Sequence, residues 1–176
     1  DDRGYASIPE NYITNLRRML QSDGLQDGEQ DLYHGLANGF DHPDFLHIRA
    51  PKPTMVISTT NDFFNIQGAL ETVEEAKRHF TAYDSLANFS FSMDDAGHAS
   101  TAKNRRALYR FLETHLNVPL DTTDLNVKPF STRELQVTST GQVATAFELR
   151  NVYDIHRDEL MMLMDELRES REDSTH

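Results

Sequence analysis

Apolar positions along the chain change their period several times, and each change marks an element. Thr54-Met55-Val56-Ile57-Ser58-Thr59 is a continuous run rich in β-branched residues, with no alternation of polar and apolar positions. That pattern suits a parallel strand buried on both faces. Thr60-Asn61-Asp62 is the turn at its end. From about Gly68 to Phe80 the period lengthens, and Ala69, Val73, Ala76 and Phe80 share one helical face. Phe89-Ser90-Phe91-Ser92-Met93 alternates strictly and reads as a second strand. Asp94 to Ser100 is a loop, and Thr101 to Leu116 is a helix with Ala107, Leu108, Phe111, Leu112 and Leu116 inward. Ser100 is its expected N-cap. This strand–loop–helix–strand–loop–helix order demands right-handed crossovers and adjacent parallel strands, so the fold class is α/β.

The flanks are less regular. Tyr5-Ala6-Ser7-Ile8, stopped by Pro9, reads as a buried strand, and Asn11 to Ser22 as a short helix carrying Ile13, Leu16, Met19 and Leu20 on one side. Gly24 to Gly39 reads as loop with a helical turn. His42-Pro43-Asp44-Phe45 resembles a helix start with proline at an early position. Beyond Leu116 the chain turns polar. Leu135 to Thr138 and Gln142 to Thr145 flank a Gly141 turn and are expected to form a hairpin. Asp158 to Arg171 is a helix with Leu160, Leu163, Met164 and Leu167 at helical spacing. The expected organisation is an α/β part over 1–118 and a C-terminal extension over 119–176.

Composition narrows the function classes. The 176 residues carry 29 acidic and 17 basic side chains, a net charge of −12. A nucleic-acid binder neutralises phosphate with a basic face, and no basic run exists here. There is no cysteine, which removes disulfides, thiolate metal sites and cysteine nucleophiles. No stretch of about 18 apolar residues is present, so no membrane-spanning helix is expected. The opening Asp1-Asp2-Arg3, with neither methionine nor signal peptide, reads as a processed or truncated start.

Candidate chemistry lies in the loops after the two strands. Open parallel sheets build sites outside the carboxyl ends of their strands. Asp62 follows one strand and His98 the next, 36 residues later. Neighbouring strands lie about 4.8 Å apart, so the crossover can return both side chains to one rim. A carboxylate accepting the imidazole Nδ1–H fixes the tautomer and stabilises the imidazolium formed when the ring takes a proton. Spacing alone leaves a second reading open, a capping aspartate and a surface histidine.

Several separated segments carry a family resemblance. Ala50 to Phe64, containing Pro51-Lys52-Pro53 and Thr60-Asn61-Asp62-Phe63-Phe64, resembles the strand and acid turn of bacterial acetyl xylan esterase-like α/β-hydrolases, and Asp94-Asp95-Ala96-Gly97-His98 resembles their histidine loop. Gln26-Asp27-Gly28-Glu29-Gln30, Gly39 to Asp44 and Thr138 to Val143 are also similar to segments of that group. The resemblance covers most of residues 1 to about 150. It implies the C-terminal half of an α/β-hydrolase fold, with Asp62 as triad acid, His98 as general base, acyl and plausibly O-acetyl esters of carbohydrate as substrates, no cofactor, and export to periplasm or medium. It also places Tyr5–Ile8 as the sixth strand of eight, with an apolar edge left for a missing neighbour. Phe63 and Phe64 either line an acyl or sugar pocket or pack under the loop.

One departure from that family is large. Its nucleophilic serine sits in a Gly-x-Ser-x-Gly elbow, and none of the eleven serines here has glycines at that spacing. The expected partner is therefore a missing N-terminal half carrying the nucleophile, without which the chain is expected to be almost inactive. A prolyl oligopeptidase-type peptidase shares the late-strand arrangement, and a noncatalytic interaction module fits the missing nucleophile. Asp41, His42, Asp44 and His47, or Asp94, Asp95 and His98, are oxygen- and nitrogen-bearing clusters without a recognised metal spacing, so no metal site is assigned. Asn88-Phe89-Ser90 matches a glycosylation sequon by chance at a strand. Met161, Met162 and Met164 read as packing residues, and Glu71, Glu74 and Glu75 as an acidic helix start.

Overall fold

The computed structural model describes residues 3–22, 32–119, 121, 128–147 and 149–173. The motif Gln26–Gln30 lies outside them. The chain divides into two units, Asp1–Leu125 and Asn126–His176.

The first unit is built on a parallel pair, β1 (Thr54–Thr59) and β2 (Phe89–Asp94), in the register Thr54↔Phe89 to Thr59↔Asp94. Every residue of β1 is buried. The cause is cover on both faces. Val56 packs with Ile13, Leu46, Val73, Ala76 and Phe80, whereas Met55 and Ile57 pack with Phe111 and, less deeply, Leu108 and Leu112. These two sets come from α2 (His42–His47), α3 (Ile66–Ala82) and Ile13 of the N-terminal segment on one side, and from α4 (Ala102–Leu116) on the other. Together they give an α/β arrangement, a parallel pair covered by helices on both faces.

The N-terminal segment runs parallel to β1 on the edge opposite β2. Ser7 N–H donates to Pro53 O (3.1 Å), Met55 N–H to Ser7 O (2.9 Å) and Ile57 N–H to Pro9 O (3.0 Å). It forms isolated bridges, Ser7↔Thr54 and Glu10↔Ile57, rather than the expected continuous strand. Pro9 has no N–H to give, which interrupts the ladder.

The helix expected over Asn11 to Ser22 shrinks to α1 (Leu16–Leu20). Asn11 adopts a left-handed φ of 52°, and the Thr14 N–H is spent on His42 Nδ1 (3.1 Å). Asn15 then caps the helix through Arg18 N–H. Thr14 is a hub: its hydroxyl donates to Asn65 O (2.8 Å), and its carbonyl accepts from the Thr72 hydroxyl (2.8 Å). Asn65 in turn caps α3 through Gly68 N–H (3.0 Å). Helix α4 is capped by Thr101, not Ser100 as its sequence suggests, with Asn104 N–H on the Thr101 hydroxyl (3.2 Å). Glu71, Glu74 and Glu75 lie beyond the first turn of α3. Glu71 faces Arg18 Nε (3.1 and 3.2 Å) and Asn15 Nδ2 (3.0 Å) instead of the helix terminus.

In the second unit the expected hairpin is absent. Thr132–Leu135 forms α5, Val143–Phe147 forms α6 and Val152–Asp173 forms α7. Ser131 and Glu134 make a reciprocal capping box for α5, which takes only Leu135 from the first would-be strand, whereas α6 takes most of the second. A lone two-stranded hairpin has no third strand to support it. Gly141 (φ 73°) does close a turn, with its N–H on Thr138 O (3.2 Å).

Two outcomes are expected. A Cβ on Gly68 would meet Thr14 Oγ1 at 2.2 Å and Asn15 N at 3.0 Å. Gly68→Ala should therefore destabilise by about 1–3 kcal/mol through overpacking, despite the helix propensity of alanine, which is worth up to about 1 kcal/mol. Urea unfolding checks the sign. The Arg18 guanidinium, then Asn15, holds the Glu71 carboxyl down to about 2, from 4.5. A depressed carboxyl contributes stability that is present above the unfolded value and lost as pH falls through the folded one. Acid titrations of wild type and Glu71→Gln should differ at neutral pH and converge between pH 4.5 and about 2, with a gap that shrinks in salt.

Candidate active site

The shared register ends both strands at one rim, with Thr59 beside Asp94. Past that rim the chain turns, and the two turns are tied to each other. Thr60 N–H donates to Asp94 O (3.0 Å) and Asn61 N–H to Ala96 O (2.9 Å). The side chains of Thr60 and Asn61 both donate to Asp95 Oδ1, Asn61 at 2.9 Å.

Within this frame His98 Nδ1 lies 3.0 Å from each oxygen of Asp62. The Asp62 side chain is 2 % exposed and that of His98 49 %. Asp62 is held from behind: the Thr59 hydroxyl donates to Oδ2 (3.0 Å) and Phe64 N–H to Oδ1 (3.1 Å). A carboxylate only accepts, so the proton between the pair sits on Nδ1, and Nε2 is the nitrogen that a neutral ring would present as acceptor. The structure thus brings together the two residues singled out from strand-end spacing.

Phe63 and Phe64 take different places. Phe63 is half-exposed and stacks on the His98 ring, with centroids 4.5 Å apart and planes at 28°. Phe64 is buried and meets Tyr12 edge-on at 6.0 Å. One ring covers the imidazole from solvent and the other packs beneath the loop.

Three supporting residues escaped the sequence reading. Asn104 is fully buried, donates to Ser58 O (3.0 Å) and accepts from the Ser92 hydroxyl (2.8 Å), fastening α4 to both strands. Thr101 hydrogen-bonds Asp94, and this bond, helped by Asp95 N–H and Lys103, holds the Asp94 carboxyl below its usual range. Asn11 reaches the histidine loop from the N-terminal segment, with Nδ2 on Ala99 O (2.9 Å). An amide at a predicted loop or on a helix's polar face carries no periodic signal; only the fold shows what it bonds.

The other polar clusters serve local structure. Asp41 caps α2 in a box with Asp44. His42 accepts from Thr14 N–H. His47 stacks on His79 at 4.4 Å, and burial, then His79, holds its pKa below the ordinary imidazole value. Among the described residues no three such side chains converge as a metal site would require, and no helix is long and apolar enough to cross a membrane. A separate cleft of about 520 Å³ between α1 and α2, lined by Leu16, Met19, Leu36, Phe40 and Phe45 among others, includes neither Asp62 nor His98.

No family model and no curated protein matches the chain. Among solved structures it is similar to a carbohydrate esterase family 15 glucuronoyl esterase from Caldicellulosiruptor kristjansonii, at 20 % identity and a TM-score of 0.42 over 52 % of this chain. It is also similar to a methylesterase, at 20 % identity and a TM-score of 0.43 over 50 % of this chain. The matched parts span 24 % and 20 % of those two chains.

Removing the Asn104 amide takes a buried donor from the Ser58 carbonyl and the acceptor from the Ser92 hydroxyl. Asn104→Ala is expected to cost about 1–3 kcal/mol, read as a lower urea midpoint with an unchanged slope.

Proposed function

We propose that this chain supplies the acid and the base of a serine ester hydrolase, Asp62 and His98, and that the nucleophilic serine comes from a segment outside these 176 residues. The observation that carries the reading is the contact of His98 Nδ1 with a buried, thrice-bonded carboxylate at the rim of a parallel sheet. A histidine held in this way presents Nε2 to a hydroxyl. As the serine oxygen attacks the ester carbonyl, Nε2 takes the hydroxyl proton, and Asp62 stabilises the imidazolium. The same proton then goes to the departing alcohol oxygen, which leaves an acyl-enzyme. Water repeats the cycle, losing a proton to Nε2 and releasing the carboxylic acid.

The segments that resemble acetyl xylan esterase-like hydrolases support acyl esters, and acetyl groups on carbohydrate in particular, as the substrate class. Phe63 stacked beside the base offers an apolar and sugar-stacking surface at the place where such a group would sit. The lack of a Gly-x-Ser-x-Gly elbow favours a second reading, a noncatalytic module that keeps the Asp–His pair without using it.

Expression together with the segment that precedes it in the gene, followed by assay on acetyl esters and on peptides, separates these readings. Ester hydrolysis should appear only when that segment brings an elbow serine. His98→Ala should then reduce kcat by about 10⁴-fold or more, and Asp62→Asn by about 10⁴-fold. Undiminished activity in His98→Ala would sink the assignment. Cleavage of peptides but not esters would move the substrate class, and an upstream segment with no elbow would leave the interaction module.

A further inference from the structure

We infer that Asn11 is a positioning residue for the base, holding the rear of the histidine loop in place while Thr60 and Asn61 hold its front; the inference rests on the reading of Asp62 and His98 as a catalytic pair. Asn11 is 7 % exposed and lies where the N-terminal segment leaves β1, with its N–H on Ile57 O at 2.8 Å. Its φ of 52° is left-handed, a region that asparagine enters more readily than other side-chain-bearing residues. That backbone turn carries the amide to the rim. Nδ2 donates to Ala99 O at 2.9 Å, on the residue after His98. Oδ1 lies 3.5 Å from the Thr59 hydroxyl.

The proton count settles the orientation of this network. The Ala99 carbonyl can only accept, so the amide NH₂ must face it. The Thr59 hydroxyl has one proton, and Asp62 Oδ2, at 3.0 Å, is the nearer and charged acceptor. The Thr59 proton therefore stays with Asp62, and the tie that Asn11 supplies is the one from Nδ2 to the loop that carries the base. His98 sits between two ties, Asn61 N–H to Ala96 O in front and Asn11 Nδ2 to Ala99 O behind. About half of the His98 side chain is in solvent, and the rings of Phe63 and Phe64 meet it at 4.5 and 6.2 Å, so the loop's hydrogen bonds carry much of its placement. Loss of the amide should let the loop swing and the imidazole leave Asp62.

The test reads the ring itself and does not require turnover. Long-range proton–nitrogen spectra of the labelled 176-residue chain report which imidazole nitrogen carries the proton. In the wild type His98 should show a single Nδ1–H tautomer. Asp62→Asn should convert it to a mixture. Asn11→Gly, which keeps the left-handed backbone accessible and removes only the amide, should do the same while the His42 signals stay put. Asn11→Asp, close to isosteric but unable to donate to Ala99 O, is the second variant in case the glycine loosens the fold. In the active, complemented protein Asn11→Asp should lower kcat by about 10–100-fold with KM little changed, the signature of a misplaced group. A wild-type tautomer pattern in both Asn11 variants, alongside a changed one in Asp62→Asn, overturns the positioning role alone. An unchanged pattern in Asp62→Asn overturns the catalytic pair and this inference with it.

Discussion

The parallel pairing of β1 with β2 is the constraint on which the rest of the first unit depends. Register and burial enforce one another. Val56 belongs to the cluster under α2 and α3, and Met55 and Ile57 to the cluster under α4. A slip of one residue would exchange those two sets between the faces. Each fully buried aliphatic side chain is worth about 1.5–3 kcal/mol, so such a slip would forfeit several at once. The core therefore dictates that Thr59 and Asp94 end side by side, and the loops carrying Asp62 and His98 start from one fixed rim.

Packing alone does not place the loops; buried amides and hydroxyls do. Thr14 joins α2, the cap of α3 and the interior of α3 through backbone and side chain. Asn104 joins α4 to both strands. Asn11 joins the N-terminal segment to the histidine loop. Each such bond contributes only about 1 kcal/mol net, but breaking one leaves a buried group unpaired at higher cost. That asymmetry makes them locks more than sources of stability. It also explains the gradient at the site: Asp62 is buried and held by two donors besides His98, whereas His98 is half-exposed on a loop tied at both ends.

On the proposed reading, an imidazole arranged in this way is half of a device. Nδ1 is committed to the carboxylate and Phe63 covers one face of the ring, so Nε2 is the nitrogen available to a substrate or a nucleophile. The two strands and their loops can orient a proton acceptor, but an ester also needs an attacking oxygen and donors for the developing oxyanion. The proposal that another segment brings them follows from the chemistry the pair can and cannot perform.

The periodic parts were legible from residues alone. The continuous run Thr54–Thr59 and the alternation at Phe89–Met93 became the two strands, and the flanking 3.6-residue periods became α3 and α4, because burial on a sheet face or a helix face imposes a repeat. Asp62 and His98 were legible as candidates for the same reason: the ends of parallel strands are predictable once the strands are. What lacked a repeat was misread or missed. Pro9 broke a strand into bridges, Thr101 took the cap from Ser100, and α6 formed where the second strand of an expected hairpin would have been. Asn11 and Asn104 had no signal at all, because an amide's role is set by which distant carbonyl the fold brings within 3 Å of it. The chain's own pattern determined the layers and the rim; tertiary contact decided which polar groups meet there, since hydrogen bonds between residues far apart in sequence leave no period behind.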